Sequence, residues 1–316
     1  MSQQMVIIGA GLAGLSAACT AARQGWQVWL CSSLPSERAQ SVMAEGGINA
    51  ALDTQGQEDS PARHGADTLR AACGLADPNA VLAMTAAASA LVEELADLGV
   101  PFNRTADGQI DLRYFGGQKK KRTAFSQSDT GKQLMTALID AVRRYEAEGT
   151  VHRLNHHDFL TLLHDGPVCT GASLRDTWSG ESCDLPAQAV IIASGGLHGL
   201  FSCTTGSLAD TGAVTAELFR LGLPVANGEF IQYHPTTIAS NGKRMLVSEA
   251  ARGEGGRLWL KKQGRPWYFM EEKYPELGNL MPRDVTATEI WYHCQAGEPL
   301  WLEQTGNEED IFFRKL

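Results

Sequence analysis

A glycine-rich turn close to the N-terminus constrains the fold of this chain more than any other feature. The turn reads GAGLAG and contains Gly9, Gly11 and Gly14. An apolar run precedes it, an alanine-rich stretch follows it, and a second apolar run ends at Cys31. This order predicts a strand, a tight turn, a helix and a second strand, the unit that binds dinucleotides. Its glycines let the backbone approach a pyrophosphate, which rests on the helix amides.

The residue that would select the dinucleotide is not the usual one. In NAD-binding proteins of this type, an acidic residue lies about 20 positions after the glycines. Here the second strand ends in Cys31, Ser32 and Ser33. A plain NAD site is therefore disfavoured. Because a serine hydroxyl can hold a ribose, FAD in a variant site stays open.

Length and charge limit the classes of protein to consider. The chain has 316 residues, of which 43% are hydrophobic, so we expect more than one domain. A change in composition near Gly228 predicts a cofactor domain over 1–228 and a substrate domain over 229–316. The net charge of −9 argues against a nucleic-acid surface. The basic cluster 119–122 is typical of a solvated loop.

The expected location follows from three sequence features. The apolar runs fall short of the ~20 residues that cross a bilayer. The first residues enter a strand without the charged and apolar regions of a secretory signal. The 7 cysteines form neither a Cys-x-x-Cys motif nor a paired Cys/His ligand spacing. We expect a protein of the reducing cytoplasm whose thiols are buried and bind no metal.

Apolar periodicity and helix start and stop signals predict the remaining elements. We expect helices over 78–98, 130–148 and 210–221, and strands over 151–163, 168–178 and 185–192. The last strand runs into Ala193 and a glycine pair that includes Gly195, which suits close approach of a cofactor. The segment AEGGINA, residues 44–50, lets the backbone press against a flat ring, although an ordinary turn has the same pattern.

Residues that fit a catalytic site concentrate in the last third of the chain. A dicarboxylate must be stripped of water to react, which demands fixed cations and donors. The candidates are His234, Ser248, Arg252 and Arg283. Glu249 lies 3 residues before Arg252, where it can orient a guanidinium or pass protons. A helix that begins at Pro282 would carry Arg283 in its first turn, where a bound anion would offset the unfavourable charge.

Ordered motifs along nearly the whole chain resemble the flavoprotein subunit of the succinate dehydrogenase and fumarate reductase family. They include GAGLAG, AEGGINAA, YFGG, ANGEFIQYHPT, SEAARGEGGR and MPRDV. The chain most resembles the branch with menaquinone-linked, haem-containing membrane partners. The resemblance implies an α/β fold. A Rossmann-like FAD-binding domain of the glutathione-reductase type would carry an inserted α+β capping domain that binds the substrate.

The resemblance also implies which residues contact FAD. The pyrophosphate would lie on the fingerprint turn, with further contacts at Gly9, Ala10, Gly11, Leu12, Ala13, Gly14, Ser41, Ala193 and Gly195. Ser32 would meet the adenosine ribose. The isoalloxazine would be bordered by Ala44, Glu45, Gly46 and Gly47.

For the substrate, the resemblance implies a wall and a set of donors. Phe115 and Gly47 would lie beside the substrate, and the donors would be Gln232, His234 and Ser248. Arg283 would give a proton to fumarate, or take one in the reverse direction, supplied through Glu249 and Arg252. A guanidinium essentially never deprotonates. We therefore favour Arg283 as a positioning and electrostatic catalyst.

The chain departs from the family in two ways. Covalent members attach FAD to a histidine, and Gln40 occupies that place here. We therefore expect non-covalent FAD of lower potential, which favours fumarate reduction over succinate oxidation. Family members also continue beyond this length and supply another histidine, another arginine and the last flavin contacts. We therefore expect this chain to be incomplete.

Three functions stay open. The leading one is FAD-dependent interconversion of fumarate and succinate. L-aspartate oxidase has a similar fold and non-covalent FAD, and a truncated flavin-binding module without turnover is the third. For the first, electrons must leave a buried flavin. An iron–sulfur subunit and a quinone-reactive membrane anchor are therefore expected partners, and they would hold the chain on the inner face of the cytoplasmic membrane.

Overall fold

The computed structural model describes residues 3–202, 204–232, 234–240 and 243–303. In chain order the helices are α1 (Leu12–Arg23), α2 (Pro61–Ala71), α3 (Pro78–Asp97), α4 (Thr130–Ala147), α5 (Ala213–Arg220), α6 (Ala250–Gly253), α7 (Phe269–Lys273) and α8 (Arg283–Gln295). The strands are β1 (Gln4–Ile8), β2 (Gln27–Ser32), β3 (Ile48–Asn49), β4 (Leu112–Arg113), β5 (Thr123–Ala124), β6 (Val151–Asn155), β7 (His157–Asp165), β8 (Val168–Asp176), β9 (Ser182–Pro186), β10 (Ala189–Ile192), β11 (Thr237–Ser240), β12 (Lys243–Leu246), β13 (Arg257–Lys262), β14 (Arg265–Trp267) and β15 (Leu300–Glu303).

Packing divides the chain into two compact units. The first comprises the chain up to Ala44, residues 98–100 and residues 131–230. The second comprises residues 45–97 and 101–130 together with the described residues from Ile231 onward. The predicted boundary near Gly228 lies close to one of these divisions. The prediction placed 45–130 wholly in the cofactor domain, whereas most of that stretch packs with the C-terminal residues. The functional assignment of the parts stays a prediction.

The first unit is built on a four-stranded parallel sheet with the strand order β10-β1-β2-β6. Val6, Ile7, Val28 and Leu30 are fully buried, which explains why these strands read as continuous apolar runs. A three-stranded antiparallel sheet, β7-β8-β9, belongs to the same unit. Leu174 and Ala172 from β8 share a core with Val6 and Ile8 from β1. The predicted α/β class is confirmed.

Most of the predicted elements are confirmed, and two predicted strands are wrong in extent. The strand predicted over 151–163 is two strands, because His156 has a φ of 63° and breaks the run between β6 and β7. The stretch 185–192 is also divided, since β9 ends at Pro186 and β10 begins at Ala189. The third predicted helix starts later than expected, at Ala213, after Gly212 adopts a φ of 73°.

The second unit combines short antiparallel sheets with helices. The sheet β14-β13-β15 packs with α7 and α8 around Leu258, Phe269, Met270 and Ile290. A second sheet has the order β3-β5-β4, and β11 pairs with β12. This mixture agrees with the predicted α+β character of the inserted domain.

Helix α3 is long and apolar enough to cross a membrane by length and composition alone. Its 20 residues include a window of mean hydropathy 1.2, which corrects the expectation that no apolar stretch approaches this length. A single helix of this kind is weak evidence for a membrane span, because core helices of soluble proteins can have the same length and composition. In this fold α3 crosses α2 closely, since a Cβ built at Gly65 would lie 2.9 Å from Leu82.

Candidate active site

The fingerprint turn has the shape that a pyrophosphate cradle requires. Gly9 follows the carboxyl end of β1 and has a φ of 112°. A Cβ on Gly9 would collide with the carbonyl of Ala193, and one on Gly14 would collide with the carbonyl of Gly9. Only glycine fits at these two places, so the backbone can make the tight turn that leads into α1.

The side chain of Ser41 lies at the opening of α1. The amide of Leu12 is 3.3 Å from Ser41 Oγ, and a Cβ built at Gly11 would lie 3.2 Å from the same oxygen. Ala10 is buried, whereas Ala13 is exposed. The structure thus brings Ser41 to the glycine turn, about thirty residues away in sequence.

Ser32 and Ala193 mark the carboxyl ends of the strands on either side of β1. Ser32 is the last residue of β2, and its hydroxyl donates to the carbonyl of Leu34 at 2.7 Å. Ala193 follows β10 and donates its amide to Ile8 at 2.7 Å. Gly195 has a φ of 82°. In parallel sheets ligands bind beyond the carboxyl ends of the strands, so these residues fit an FAD that lies across the turn.

Gln40 opens a short 3₁₀ turn, Gln40–Met43, in the first unit. The turn continues to Ala44, whose carbonyl accepts from the amide of Gly131 at 2.7 Å. A Cβ at Gly131 would collide with the Ser41 carbonyl. The start of α4 therefore fixes this segment, and Gly131 is a supporting residue that the sequence reasoning did not assign.

In the second unit, Gly47 and Gly46 lie against aromatic and backbone neighbours. Gly47 has a φ of 137°, and a Cβ there would lie 2.5 Å from the carbonyl oxygen of Ala124. A Cβ on Gly46 would lie 3.1 Å from the ring of Phe115. The structure therefore joins the predicted flavin border to the predicted substrate wall. Glu45 precedes them, and burial raises the pKa of its carboxyl.

Glu249 connects the two arginines that the sequence singled out. Its Oε1 accepts from Arg252 Nη2 at 2.8 Å and its Oε2 accepts from Arg283 Nε at 2.9 Å. Glu249 is 3% exposed and the Arg252 side chain is fully buried, whereas the Arg283 side chain is 36% exposed. The two ion pairs thus link buried Arg252, through Glu249, to the accessible guanidinium of Arg283.

The segment after Tyr114 packs directly on this group. A Cβ on Gly116 would collide with Glu249 Oε1, and the amide of Gly117 donates to the carbonyl of Leu280 at 2.7 Å. Phe115 precedes these two glycines, and its amide donates to Gln118 Oε1 at 3.2 Å. Gly116 is a second residue that sequence reasoning missed, although the YFGG motif that contains it had been recognised.

Asn279 anchors the buried end of the arginine path. Its carbonyl accepts from Arg252 Nη1 at 2.7 Å, and its side-chain oxygen accepts from the amide of Leu258 at 2.8 Å. Burial lowers the pKa of Arg252, and the charge of Glu249 opposes that shift. No sequence signal distinguished Asn279 from other loop asparagines.

Arg283 also contacts a predicted substrate donor. The structure confirms that α8 begins at Arg283 with Pro282 as its N-cap. Arg283 Nη1 donates to Gln232 Oε1 at 3.0 Å, so Gln232 and Glu249 together orient the guanidinium. Ser248, half-buried, precedes Glu249, and its hydroxyl is 3.4 Å from the amide of Ala250.

His234 lies within the electrostatic reach of the same group. Burial, and then the charge of Arg283, lower the pKa of His234 to about 4. Its Nδ1 is 2.9 Å from the carbonyl oxygen of Thr236 and 3.3 Å from the amide nitrogen of the same residue. The shorter contact assigns the proton to Nδ1, while the longer one fits the other tautomer. An ionised carboxylate only accepts hydrogen bonds, so the neutral ring can donate to one from Nε2 only in the tautomer whose Nδ1 accepts from the Thr236 amide.

Arg122 corrects the expectation that the basic cluster 119–122 is a solvated loop. Arg122 is 2% exposed and donates to both oxygens of Asp59, at 2.9 Å each, and to Asp67 at 2.9 Å. Its neighbour Thr123 lies in β5 and donates to Asn49 in β3 at 2.6 Å. This buried ion cluster fixes β5, the strand against which Gly47 packs.

Comparison with known proteins decides the family. The family model described as an FAD binding domain matches residues 4–309. The chain belongs to this FAD-binding family. The predicted cofactor, FAD, and the predicted resemblance to succinate dehydrogenase and fumarate reductase flavoproteins are confirmed. How FAD is attached stays a prediction.

Relatives with different reactions share this domain. The chain is 44% identical over 296 residues to the succinate dehydrogenase flavoprotein subunit of Bacillus subtilis, covering 93% of this chain and 50% of that one. It is 35% identical over 312 residues to the L-aspartate oxidase of Mycobacterium tuberculosis, covering 96% and 56%. A solved flavoprotein chain of the E. coli quinol fumarate reductase superposes with a TM-score of 0.86 at 25% identity, covering 99% and 60%.

The chain spans about half the length of the curated relatives that it matches. The family match extends from residue 4 to 309 and therefore includes both the fingerprint turn and Glu249 with its two arginines. The family match thereby establishes the FAD-binding family for this chain.

Proposed function

We propose that the chain provides the FAD and dicarboxylate sites of an enzyme that interconverts fumarate and succinate. One observation carries this proposal: the carboxylate of buried Glu249 is shared by Arg252 and Arg283. An accessible guanidinium backed by a buried ion pair suits a small dianion, because its position is fixed before the ligand arrives. The succinate dehydrogenase and fumarate reductase relatives support the same substrate class.

In the proposed site, each residue has a separate task. Arg283 neutralises one carboxylate of the substrate, while the neutral ring of His234 adds a hydrogen bond, as do Ser248 and Gln232. The ring of Phe115 excludes water beside Gly46 and Gly47. FAD, when bound, supplies or accepts the hydride. Exclusion of water strengthens the charge interactions of Arg283 with the reacting carbon and its carboxylate.

Arg283 acts first through its charge. Its Nε bond to Glu249 and its Nη1 bond to Gln232 hold the guanidinium plane in one orientation, so that the remaining donors face the substrate. The three side chains are linked by hydrogen bonds, so a proton that Arg283 gave to the substrate carbon would be replaced from Glu249 and Arg252. The high proton affinity of a guanidinium argues that Arg283 positions this proton more than it releases one.

The reaction direction and the partners belong to the same proposal. Gln40 stands at the tether position, which supports non-covalent FAD of low potential and hence fumarate reduction. Electrons would come from an iron–sulfur subunit and a quinone-reactive membrane anchor. These subunits would hold the chain on the inner face of the cytoplasmic membrane.

The half-buried carboxyl of Glu45 keeps L-aspartate oxidation as the second candidate function. Aspartate carries an ammonium group, which requires a carboxylate partner. Both oxygens of Glu249 already accept from arginines, which disfavours Glu249 for this task. Glu45, next to Gly46, has a half-buried carboxyl and is the alternative partner.

The test compares both substrates on the FAD-loaded chain. We expect reduced dye to be oxidised by fumarate, with no peroxide formed from aspartate and oxygen. Peroxide formation from aspartate that falls in Glu45→Gln, without fumarate turnover, would establish the second candidate. A flavin spectrum that neither substrate perturbs would leave only the module without turnover.

A further inference from the structure

Arg113 is a half-buried cation that the proposed function does not use. Its side chain is 12% exposed, and its Nη1 lies 3.6 Å from Glu254, which is 58% exposed. Such an exposed carboxylate is largely screened by water. The charge of Arg113 is therefore only partly neutralised within its own neighbourhood.

The donors of Arg113 are directed to the predicted flavin border. Its Nη2 donates to the carbonyl of Gly46 and lies 3.3 Å from the carbonyl of Glu45. Two bonds from one guanidinium fix the orientation of consecutive peptide groups. The backbone that precedes Gly47 is thus held by a side chain on β4, more than sixty residues away.

The same guanidinium is stacked against aromatic rings. The Arg113 Cζ lies 4.2 Å from the centroid of Phe125 and 5.5 Å from that of Phe115. Phe125 is buried, so the planar group is confined and its position does not depend on Glu254. Burial lowers the pKa of Arg113, with Glu254 opposing the shift.

We propose that Arg113 is a positioning residue whose fixed positive charge also shifts bound FAD toward its reduced form. The proposal rests on the proposed function, in which Gly46 borders the flavin. A cation held behind that border favours added negative charge on its other side. Arg113 would therefore set both the geometry of the Glu45–Gly46 peptides and the electron affinity of the cofactor.

The experiment measures the ratio of reduced to oxidised flavin at a fixed solution potential, in the FAD-loaded chain with a reference dye. For Arg113→Gln we expect this ratio to fall about tenfold, or about 30 mV for a two-electron couple. Arg113→Lys keeps the charge and should recover at least half of that logarithmic shift. Glu254→Gln removes the partial neutralisation and should raise the ratio about twofold, a change of opposite sign.

Two controls separate this inference from packing effects and from the proposed function. Arg265→Gln removes an exposed arginine on β14 and should leave the ratio unchanged. Equal shifts for the Gln and Lys variants at 113, or no shift in either, would overturn the charge role. If Arg113→Gln does not fold, Glu254→Gln tests the charge role alone: a raised ratio supports it, and an unchanged or lowered ratio overturns it. Fumarate turnover is not needed for this measurement, so failure of the proposed function appears separately, in the wild-type chain.

Discussion

At the scale of single residues, Glu249 is the side chain that connects the proposed catalytic arginines, because it is bonded to both of them. A carboxylate that is 3% exposed is stable only if its charge is compensated. Arg252 and Arg283 supply that compensation, one to each oxygen. Removing one member of a buried ion pair typically costs about 3–5 kcal/mol. The geometry of Arg283 and the stability of its surroundings are therefore coupled through one carboxylate.

Replacing Arg283 with lysine distinguishes its two possible roles. Lysine keeps the charge but cannot form the Nε bond to Glu249 and the Nη1 bond to Gln232 together. If fixed electrostatics dominate, we expect fumarate kcat/KM to fall about 10²-fold. Arg265→Lys, on an exposed strand position, is the matched control. Activity of Arg283→Lys within threefold of wild type would instead favour proton donation, since an ammonium is the better acid.

His234 predicts a pH dependence of stability. Its pKa in the folded chain is about 4, below the ordinary value of 6.5, so the unfolded chain binds the proton more tightly. Stability from the neutral ring is present above pH 6.5 and is lost as the pH falls toward 4. Lowering the pKa from 6.5 to about 4 corresponds to at most about 3.5 kcal/mol of stability.

Denaturant unfolding at pH 7 and at pH 4.5 checks this expectation. Other groups titrate in the same range, so the quantity to compare is the change in unfolding free energy for wild type and for His234→Asn. We expect the variant to lose about 2 kcal/mol less over this interval. An identical loss in both proteins would show that the ring is protonated to the same extent in the folded and unfolded states.

At the scale of elements, the turn between β1 and α1 depends on sterics that can be tested directly. A Cβ on Gly14 would collide with the Gly9 carbonyl, whereas Gly228 has nothing within 4 Å. We expect Gly14→Ala to cost about 1–3 kcal/mol by overpacking and to weaken FAD binding at least tenfold.

Thermal unfolding and FAD fluorescence titration measure the two effects of Gly14→Ala. Gly228→Ala adds the same methyl group without a neighbour and should change neither quantity appreciably. Normal FAD affinity in Gly14→Ala would mean that the backbone at the turn can relax, and the cradle would then not require glycine there.

The same elements explain what the sequence could predict. The fingerprint fixes β1, α1 and β2 locally, because its glycines, apolar run and helix start lie within about thirty residues. The break at His156 escaped prediction, since a φ of 63° in a non-glycine residue leaves no periodic signal. Arg122 escaped for a different reason: its partners Asp59 and Asp67 are more than fifty residues away, and charge patterns report only nearby pairs.

In the site, too, contacts between residues close in sequence were predictable, and contacts between residues far apart were not. Glu249 and Arg252 lie in one turn, so their pairing was predictable from spacing. Arg113 belongs to a short strand with no local clue to its contacts at Glu45 and Gly46. Motifs such as YFGG identified the segment, but the geometry was needed to reveal which of its neighbours hold the glycines.

At the scale of the whole molecule, the grouping of 45–97 and 101–130 with the C-terminal residues could not be read from composition. The grouping results from packing between residues that lie far apart in the sequence. The change near Gly228 was visible because Trp, Tyr and charged residues become more frequent there.

The mode of FAD attachment is also a property of the intact holoprotein. Gln40 offers no imidazole nitrogen for a flavin bond, so we expect acid precipitation to release all of the yellow cofactor into the supernatant. Gln40→His is the informative comparison variant, because it restores the residue type of the tether. Flavin that stays in the wild-type pellet would contradict the non-covalent proposal.

The most direct measurement is a titration of the FAD-loaded chain with fumarate, followed through the flavin absorbance difference spectrum. We expect a saturable change for fumarate and for succinate, with an affinity at least tenfold weaker in Arg283→Gln and unchanged in Arg265→Gln. Equal fumarate affinity in wild type and Arg283→Gln would contradict this expectation, because the guanidinium beside Glu249 would then not bind the dicarboxylate.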